Sequence, residues 1–237
     1  MSVLAAEGAV TPGQHWTGEL LGFTLNLDTI VGTLVAGVIV CGLGLYMAHR
    51  AVAGRPSGLQ VAFEALVAWA QDQTEELMGR RAPRGVVGLA ITLFAFILVS
   101  NWIAVFPSEH WVPPPTADTN LTIALMLLVI VWVNVMGIRT HGLGRHFLII
   151  AKKGPFEIIT QFFGRPLSLA LRLWGNIFAG GLMVSLIGLL PVSVLWLPNA
   201  AWKLFDLFIG LLQALIFALL TLIYFAEAIE TEEPVSK

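Results

Sequence analysis

Two long apolar stretches, 166–197 and 199–226, follow each other in this chain with little more than Pro198 between them. As helices they would be about 48 Å and about 42 Å long, whereas the hydrocarbon core of a bilayer is about 30 Å thick. Tilting, kinking or burial against protein must absorb a mismatch of that size. The sequence therefore predicts a hairpin of two long, oblique helices.

Arg172 is the only ionisable residue between Pro166 and Leu197. An arginine near the centre of a membrane helix costs about 2.5 to 3.5 kcal/mol on insertion scales, so an arginine at this depth indicates a function. Because arginine keeps its proton in proteins, Arg172 cannot relay one. It can repel cations and attract a carboxylate that passes it.

Composition favours a membrane protein for the rest of the chain as well. Hydrophobic residues make up 57% of the 237 residues and charged residues 12%, against about 25% charged residues in soluble domains. We expect an all-α polytopic membrane protein with five transmembrane helices in a single membrane domain, 1–237. The predicted segments are an external N-terminal segment at 1–28, spans at 29–48, 86–106, 121–138, 166–197 and 199–226, an amphipathic helix at 58–78, and an internal acidic tail at 227–237.

The distribution of basic residues predicts the topology. Segments 50–84 and 139–165 hold five Lys or Arg residues each, whereas 1–28 and 107–120 hold none. By the positive-inside rule, the N-terminus lies outside and the C-terminus is cytoplasmic. The helix at 58–78, in which apolar residues alternate with acids, then lies on the cytoplasmic side, at a surface or against a partner.

Polar residues on the last two predicted spans lie on defined helix faces. Ser168, Arg172 and Asn176 are spaced i, i+4, i+8 and form one stripe. On the last span the polar residues stay within roughly 40° of one line along the helix, which indicates an ion route; they are Asp206, Gln213, Tyr224 and Glu227.

Three of the polar residues on the last span also have a simpler interpretation, which the sequence leaves open. Asp206 stands three residues after Lys203 and can form an interfacial ion pair with it. Gln213 can hold two helices together by hydrogen bonds. Glu227 can simply be solvated at the inner surface.

Three further polar residues stand near the outer ends of the second and third spans: Asn101, Asp118 and Asn120. They can hold water beside Asp206. Capping of helix ends explains Asn101 and Asn120 equally well, and Asp118 can be a turn residue after the proline run.

Motifs for other chemistry are missing from the sequence. It contains no phosphate-binding glycine loop, dinucleotide fingerprint, zinc-protease helix or nucleophile elbow. His141 and His146 lack metal-ligand spacing, and Cys41 is the only cysteine. We therefore expect no catalytic residue, cofactor, metal or nucleic-acid partner.

The residues around Arg172 nevertheless resemble a known family. PLSLALRLWGNIFAGG resembles the signature of subunit a of F-type ATP synthases, PLSLxLRLFGNxxAG. LLQALIFALLTLIY, ILVSNW and PTADTN resemble other motifs of that family, and the similarity covers about residues 20–230. NIFAGG together with PNAAWKLFDLFIGLLQ is most similar to the actinobacterial, mycobacterium-like branch.

The resemblance implies an ion-translocating, non-catalytic stator subunit in a bacterial plasma membrane. Such a subunit works beside a ring of c subunits, with peripheral-stalk b subunits, the other ATP synthase subunits and membrane lipids as further partners. Two offset half-channels would carry protons to and from the membrane carboxylates of the ring, coupling proton flow to ATP synthesis.

The same resemblance assigns roles by position. Arg172 matches the arginine that prevents a proton short circuit and meets each rotor carboxylate, and Gln213 matches the glutamine that faces it. Asn176 and Ser168 match polar positions of the family. The residues that match the surroundings of the outer half-channel are Asn101, Asp118, Asn120 and Asp206.

The chain departs from the family pattern at two positions. Many members carry an acid nine residues after the arginine, where this chain has Gly181. Some members carry His or Gly seven residues before the glutamine, where this chain has Asp206. The pattern indicates that the carboxylate has moved to the neighbouring helix, so Asp206 is the candidate outer proton relay.

A proton-coupled secondary transporter is the alternative function. Transporters of that kind usually contain paired repeats with broken helices, and the sequence shows no internal repeat. An intramembrane enzyme would need a nucleophile with a base, or a metal site, and the sequence shows neither.

Overall fold

The computed structural model describes residues 17–20, 23–52, 54, 56–79, 82–83, 85–103, 115–152, 164, 171, 175, 179–180, 182–183 and 185–229. A short antiparallel hairpin comes first, with β1 at Thr17–Leu20 paired to β2 at Phe23–Asn26. All the other regular structure within these ranges is helical. The helices are α1 Leu27–Arg50, α2 Gly58–Met78, α3 Val86–Ile103, α4 Thr119–His141, α5 Leu143–Lys152 and α6 Val192–Ile229, with a 3₁₀ turn at Pro115–Ala117.

Four of the described helices, α1, α3, α4 and α6, are long and apolar enough to cross a membrane. This confirms a helical, polytopic membrane protein. The fifth predicted span, 166–197, falls largely outside the described residues, so the count of five stays a prediction.

The predicted boundary between the last two spans is wrong. It was expected at Pro198, but α6 begins at Val192 and Pro198 lies in its second turn. The carbonyl of Pro191 accepts hydrogen bonds from the amides of Val194 (2.9 Å) and Leu195 (3.1 Å), so this proline starts the helix. Pro198 costs α6 one backbone hydrogen bond. The apolar run continues as a helix because backbone groups in a membrane need partners within the chain.

The length of α6 exceeds the bilayer by more than the sequence suggested. Its 38 residues span about 57 Å, against about 30 Å of hydrocarbon. A helix of this length must tilt or extend beyond the hydrocarbon core.

Packing of α6 against α3 and α4 forms the core. The buried residues follow helical spacing on each element, so each helix turns one apolar stripe inward. Alanines with no exposed surface, Ala90 on α3 and Ala214 and Ala218 on α6, let the two helices approach closely. The larger side chains of this core are Val86, Leu93, Phe94, Ile97, Val129, Val133, Phe217, Leu222, Phe225 and Ile229.

The helix α2 has the predicted bounds. Ser57 caps its start, because the hydroxyl accepts a hydrogen bond from the amide of Gln60 at 3.3 Å. Gly79 follows its end with φ of +57°, a conformation that favours glycine. The acids Glu64, Asp72, Glu75 and Glu76 are exposed, whereas Ala70, Thr74 and Met78 are buried.

Candidate functional site

One face of α6 carries Asp206, Gly210 and Gln213, spaced i, i+4, i+7. Asp206 is half-buried, and Gly210 and Gln213 are buried. The turn between the two polar residues packs against the last turn of α3. The sequence-predicted pair Asp206 and Gln213 therefore lies on one helix face, next to a second helix.

Asn101, on α3, joins that turn of α6 to the 3₁₀ turn at Pro115–Ala117. Its Nδ2 donates to the carbonyl of Gly210 at 3.3 Å, and its Oδ1 accepts from the hydroxyl of Thr116 at 2.9 Å. The side chain thus bridges separate parts of the fold, and helix capping, the alternative for this residue, does not describe these contacts.

Trp102 makes a second contact of the same kind. Its indole Nε1 donates to the carbonyl of Leu207, also at 3.3 Å. Sequence reasoning missed this residue, although it stands within the quoted ILVSNW motif. A tryptophan directly after a polar residue at a helix end was the available signal, because the indole N–H needs a partner.

Asp118 joins the start of α1 to the start of α4. It is 6% exposed. Its Oδ2 accepts from Nδ2 of Asn26 and from the hydroxyl of Thr29, both at 2.7 Å. Its Oδ1 accepts from the amide of Asn120 at 2.9 Å, which makes Asp118 the N-cap of α4. The side chain of Asn120 itself is exposed.

The segment before α6 approaches Asp206. A Cβ atom built on Gly180 would lie 3.9 Å from Oδ1 of Asp206. Gly180, within the predicted fourth span, therefore lies close to this carboxylate. The other predicted site residues on the first arm, Arg172, Asn176 and Ser168, lie outside the described residues.

The polar residues predicted to line the last span fall into two groups along α6. Asp206 and Gln213 form the first, and Tyr224 and Glu227, both half-buried, form the second. Between Gln213 and Tyr224 the only polar side chain is Thr221, whose hydroxyl donates to the carbonyl of Phe217 within the helix at 2.9 Å. The gap is about 16 Å along the helix axis.

A buried histidine at the α4–α5 corner was not predicted as a site residue. His146 is 3% exposed, and its Nε2 lies 3.2 Å from Oδ1 of Asn134. Burial, and then the nearby His141, lower the pKa of His146. Any side chain at Gly137 would overlap the imidazole. Within the described residues no three His, Cys, Asp or Glu side chains are grouped as metal ligands.

Comparison with known proteins decides the family. The family described as ATP synthase A chain matches residues 30–226. The chain belongs to the ATP synthase A chain family. This confirms the resemblance to subunit a that the motifs indicated.

Relatives in this family cover nearly the whole chain. ATP synthase subunit a of Acidothermus cellulolyticus is 48% identical, over 97% of this chain and 86% of its own length. The Mycobacterium marinum protein of the same name is 41% identical over 98% of both chains. That of Mycobacterium leprae is 37% identical, over 95% of this chain and 96% of its own. These relatives bear out the mycobacterium-like character of the sequence.

Proposed function

We propose that this chain is the ion-translocating stator subunit of a rotary ATP synthase. In this proposal it forms two offset proton half-channels against a ring of c subunits, and Arg172 separates them. Proton flow through the half-channels is coupled to ATP synthesis. The chain needs no nucleotide site for this role, because catalysis belongs to other subunits.

The observation that carries the proposal is the division of the polar residues on α6. A charge in hydrocarbon is costly unless polar groups or water surround it. The apolar interval between Gln213 and Tyr224 therefore interrupts any proton path along this helix. A proton that enters at Asp206 must leave α6 and return to it at another point, as it would if a partner carboxylate carried it.

The proposed roles combine this division with the family resemblance. Asp206 is the outer proton relay, and Asn101, Asp118 and Asn120 lie around the outer half-channel. Glu227 serves the inner half-channel. Gln213 faces Arg172, whose stripe also includes Asn176 and Ser168.

The proposal also includes an arrangement in the membrane. The chain is a single membrane domain of five spans in a bacterial plasma membrane, with its N-terminus outside and its C-terminus in the cytoplasm. The amphipathic helix α2 lies on the cytoplasmic side. The partners are the c ring, the b subunits of the peripheral stalk, other ATP synthase subunits and lipids.

Replacement of Arg172 tests the function directly. In the intact complex, Arg172→Ala is expected to abolish ATP synthesis and ATP-driven proton pumping while assembly stays normal. Arg50→Ala, at the exposed end of α1, is the matched control and should pump normally. Normal coupling in Arg172→Ala would refute the proposal, and purification of the chain without a c ring would favour the transporter alternative.

A further inference from the structure

Two consecutive residues of α3 reach the same turn of α6. Asn101 donates to the carbonyl of Gly210 and Trp102 to that of Leu207, each at 3.3 Å. A backbone carbonyl has two lone pairs, so it can accept a side-chain donor as well as its helical partner. The two acceptors stand three residues apart, inside the interval from Asp206 to Gln213.

Two contacts at different heights restrain a helix more than one contact does. A single hydrogen bond fixes one point on α6, whereas two bonds along its axis oppose both sliding and rotation of this turn in addition to the packing of the core. A slip of one residue would move the helix by about 1.5 Å and turn its side chains by about 100°. The carboxylate of Asp206 would then leave its place beside Gly180.

Gly210 makes this approach possible. It is buried, and a Cβ atom built there would lie 3.0 Å from Cβ of Asn101 and 3.7 Å from Cδ1 of Trp102. A separation of 3.0 Å is tighter than most carbon–carbon contacts, since the optimum is about 3.5–4.0 Å. An alanine at this position would require its neighbours to shift by a few tenths of an ångström.

The donor side of the contact is itself held in place. Thr116 is 3% exposed, and its hydroxyl donates to Oδ1 of Asn101, which directs the Nδ2 group toward Gly210. Asp118, two residues after Thr116, accepts hydrogen bonds from the side chains of Asn26 and Thr29 at the start of α1. The contact on α6 is thus anchored in α1 and α4 as well as in α3.

We propose that Trp102, acting with Asn101 and Gly210, is a positioning residue that sets the depth and rotation of α6 and thereby the places of Asp206 and Gln213. This inference deepens the proposed function and rests on it for the role of Asp206. The geometric part concerns the register of α6 and can be measured separately.

The register is tested by cross-linking in the intact complex. Gly180→Cys and Asp206→Cys are introduced together in a Cys41→Ser background and joined with a short thiol cross-linker. Adding Trp102→Phe, which keeps the apolar ring and removes the indole N–H, should lower the yield several-fold. Trp132→Phe, on an exposed tryptophan of α4 that is 47% accessible, should leave it unchanged. Equal yields for the two variants would overturn the proposal.

The functional consequence is tested with Asp206 present. Trp102→Phe alone is expected to slow ATP-driven pumping several-fold and to shift its pH profile, because the relay changes its surroundings. Gly210→Ala should do the same, and Gly88→Ala, where nothing lies within 4 Å, should not. If pumping falls only in proportion to the amount of assembled complex, and its pH profile does not shift, the positioning role is contradicted. Failure of the proposed function would show instead as normal coupling in Arg172→Ala, with the cross-linking result unaffected.

Discussion

The carboxylate of Asp206 lies beside Gly180, with Oδ1 3.9 Å from the position a Cβ atom would take there. Gly181, the next residue, stands where many family members carry an acid. We propose that the carboxylate of Asp206, on α6, takes the place of that acid as the outer proton relay.

Replacement of the carboxylate should reveal its role in proton exchange. Asp206→Asn is expected to slow proton pumping several-fold, and more at high pH than at low pH, because a relay matters most when free protons are scarce. Asp72→Asn, at an exposed acid of α2, is the control. Pumping measured across pH in inverted vesicles checks this, and an unchanged profile would leave Asp206 with a structural role only.

Transposing the carboxylate provides a second test. Asp206→Gly should impair pumping, and adding Gly181→Asp should restore it several-fold, since the acid returns to the position usual in the family. Adding Gly188→Asp instead, in the turn before α6, should restore nothing. If Gly181→Asp restores no more pumping than Gly188→Asp does, a carboxylate at position 181 is not equivalent to the one at position 206.

Asp118 should contribute to stability through its three partners. Asp118→Ala removes the cap of α4 and both bonds to α1, for a loss of about 3 kcal/mol. Thr29→Val removes one hydrogen bond and should cost about 1 kcal/mol. Thermal unfolding of the purified complex measures both. Equal stability of the wild type and Asp118→Ala would show that these hydrogen bonds do not stabilise the protein.

The packing of α5 on α4 should weaken in acid. Burial and His141 lower the pKa of His146 from its ordinary value of 6.5, so the packed state prefers the neutral imidazole. The stabilisation is complete above 6.5, declines as pH falls through 6.5 toward the lower pKa of the packed state, and is lost below it. Hydrogen exchange of residues 143–152, corrected for intrinsic rates, should show this loss. His146→Gln should abolish the pH dependence and His49→Gln should not; protection independent of pH in the wild type would contradict the account.

Local patterns in the sequence were enough to find most helices. Hydropathy predicted α1, α3 and α4 to within a few residues, and alternation of apolar and acidic residues predicted α2 with the bounds it has. These properties depend on neighbours in the chain. Pro198 misled the prediction because an interior proline usually ends or kinks a helix, whereas α6 continues through it with one backbone hydrogen bond fewer.

The contacts around the candidate site could not be predicted from local sequence patterns. Asn101 meets Gly210 and Trp102 meets Leu207 across more than 100 residues, and periodicity carries no information about such pairs. The polar line along the last span and the comparison with the family pattern supplied Asp206 and Gln213. The bridging role of Asn101 and the indole contact of Trp102 depend on how α3 crosses α6. The burial of His146 likewise depends on the fold of α5 against Asn134 and Gly137.

The surroundings of Arg172 in the assembled complex test the central claim most directly. A density map of the intact ATP synthase should show the guanidinium facing a carboxylate of the c ring, with Gln213 on the adjacent helix beside it. An Arg172 that points into lipid, or that pairs with a carboxylate of its own chain, would contradict a stator whose arginine separates two half-channels.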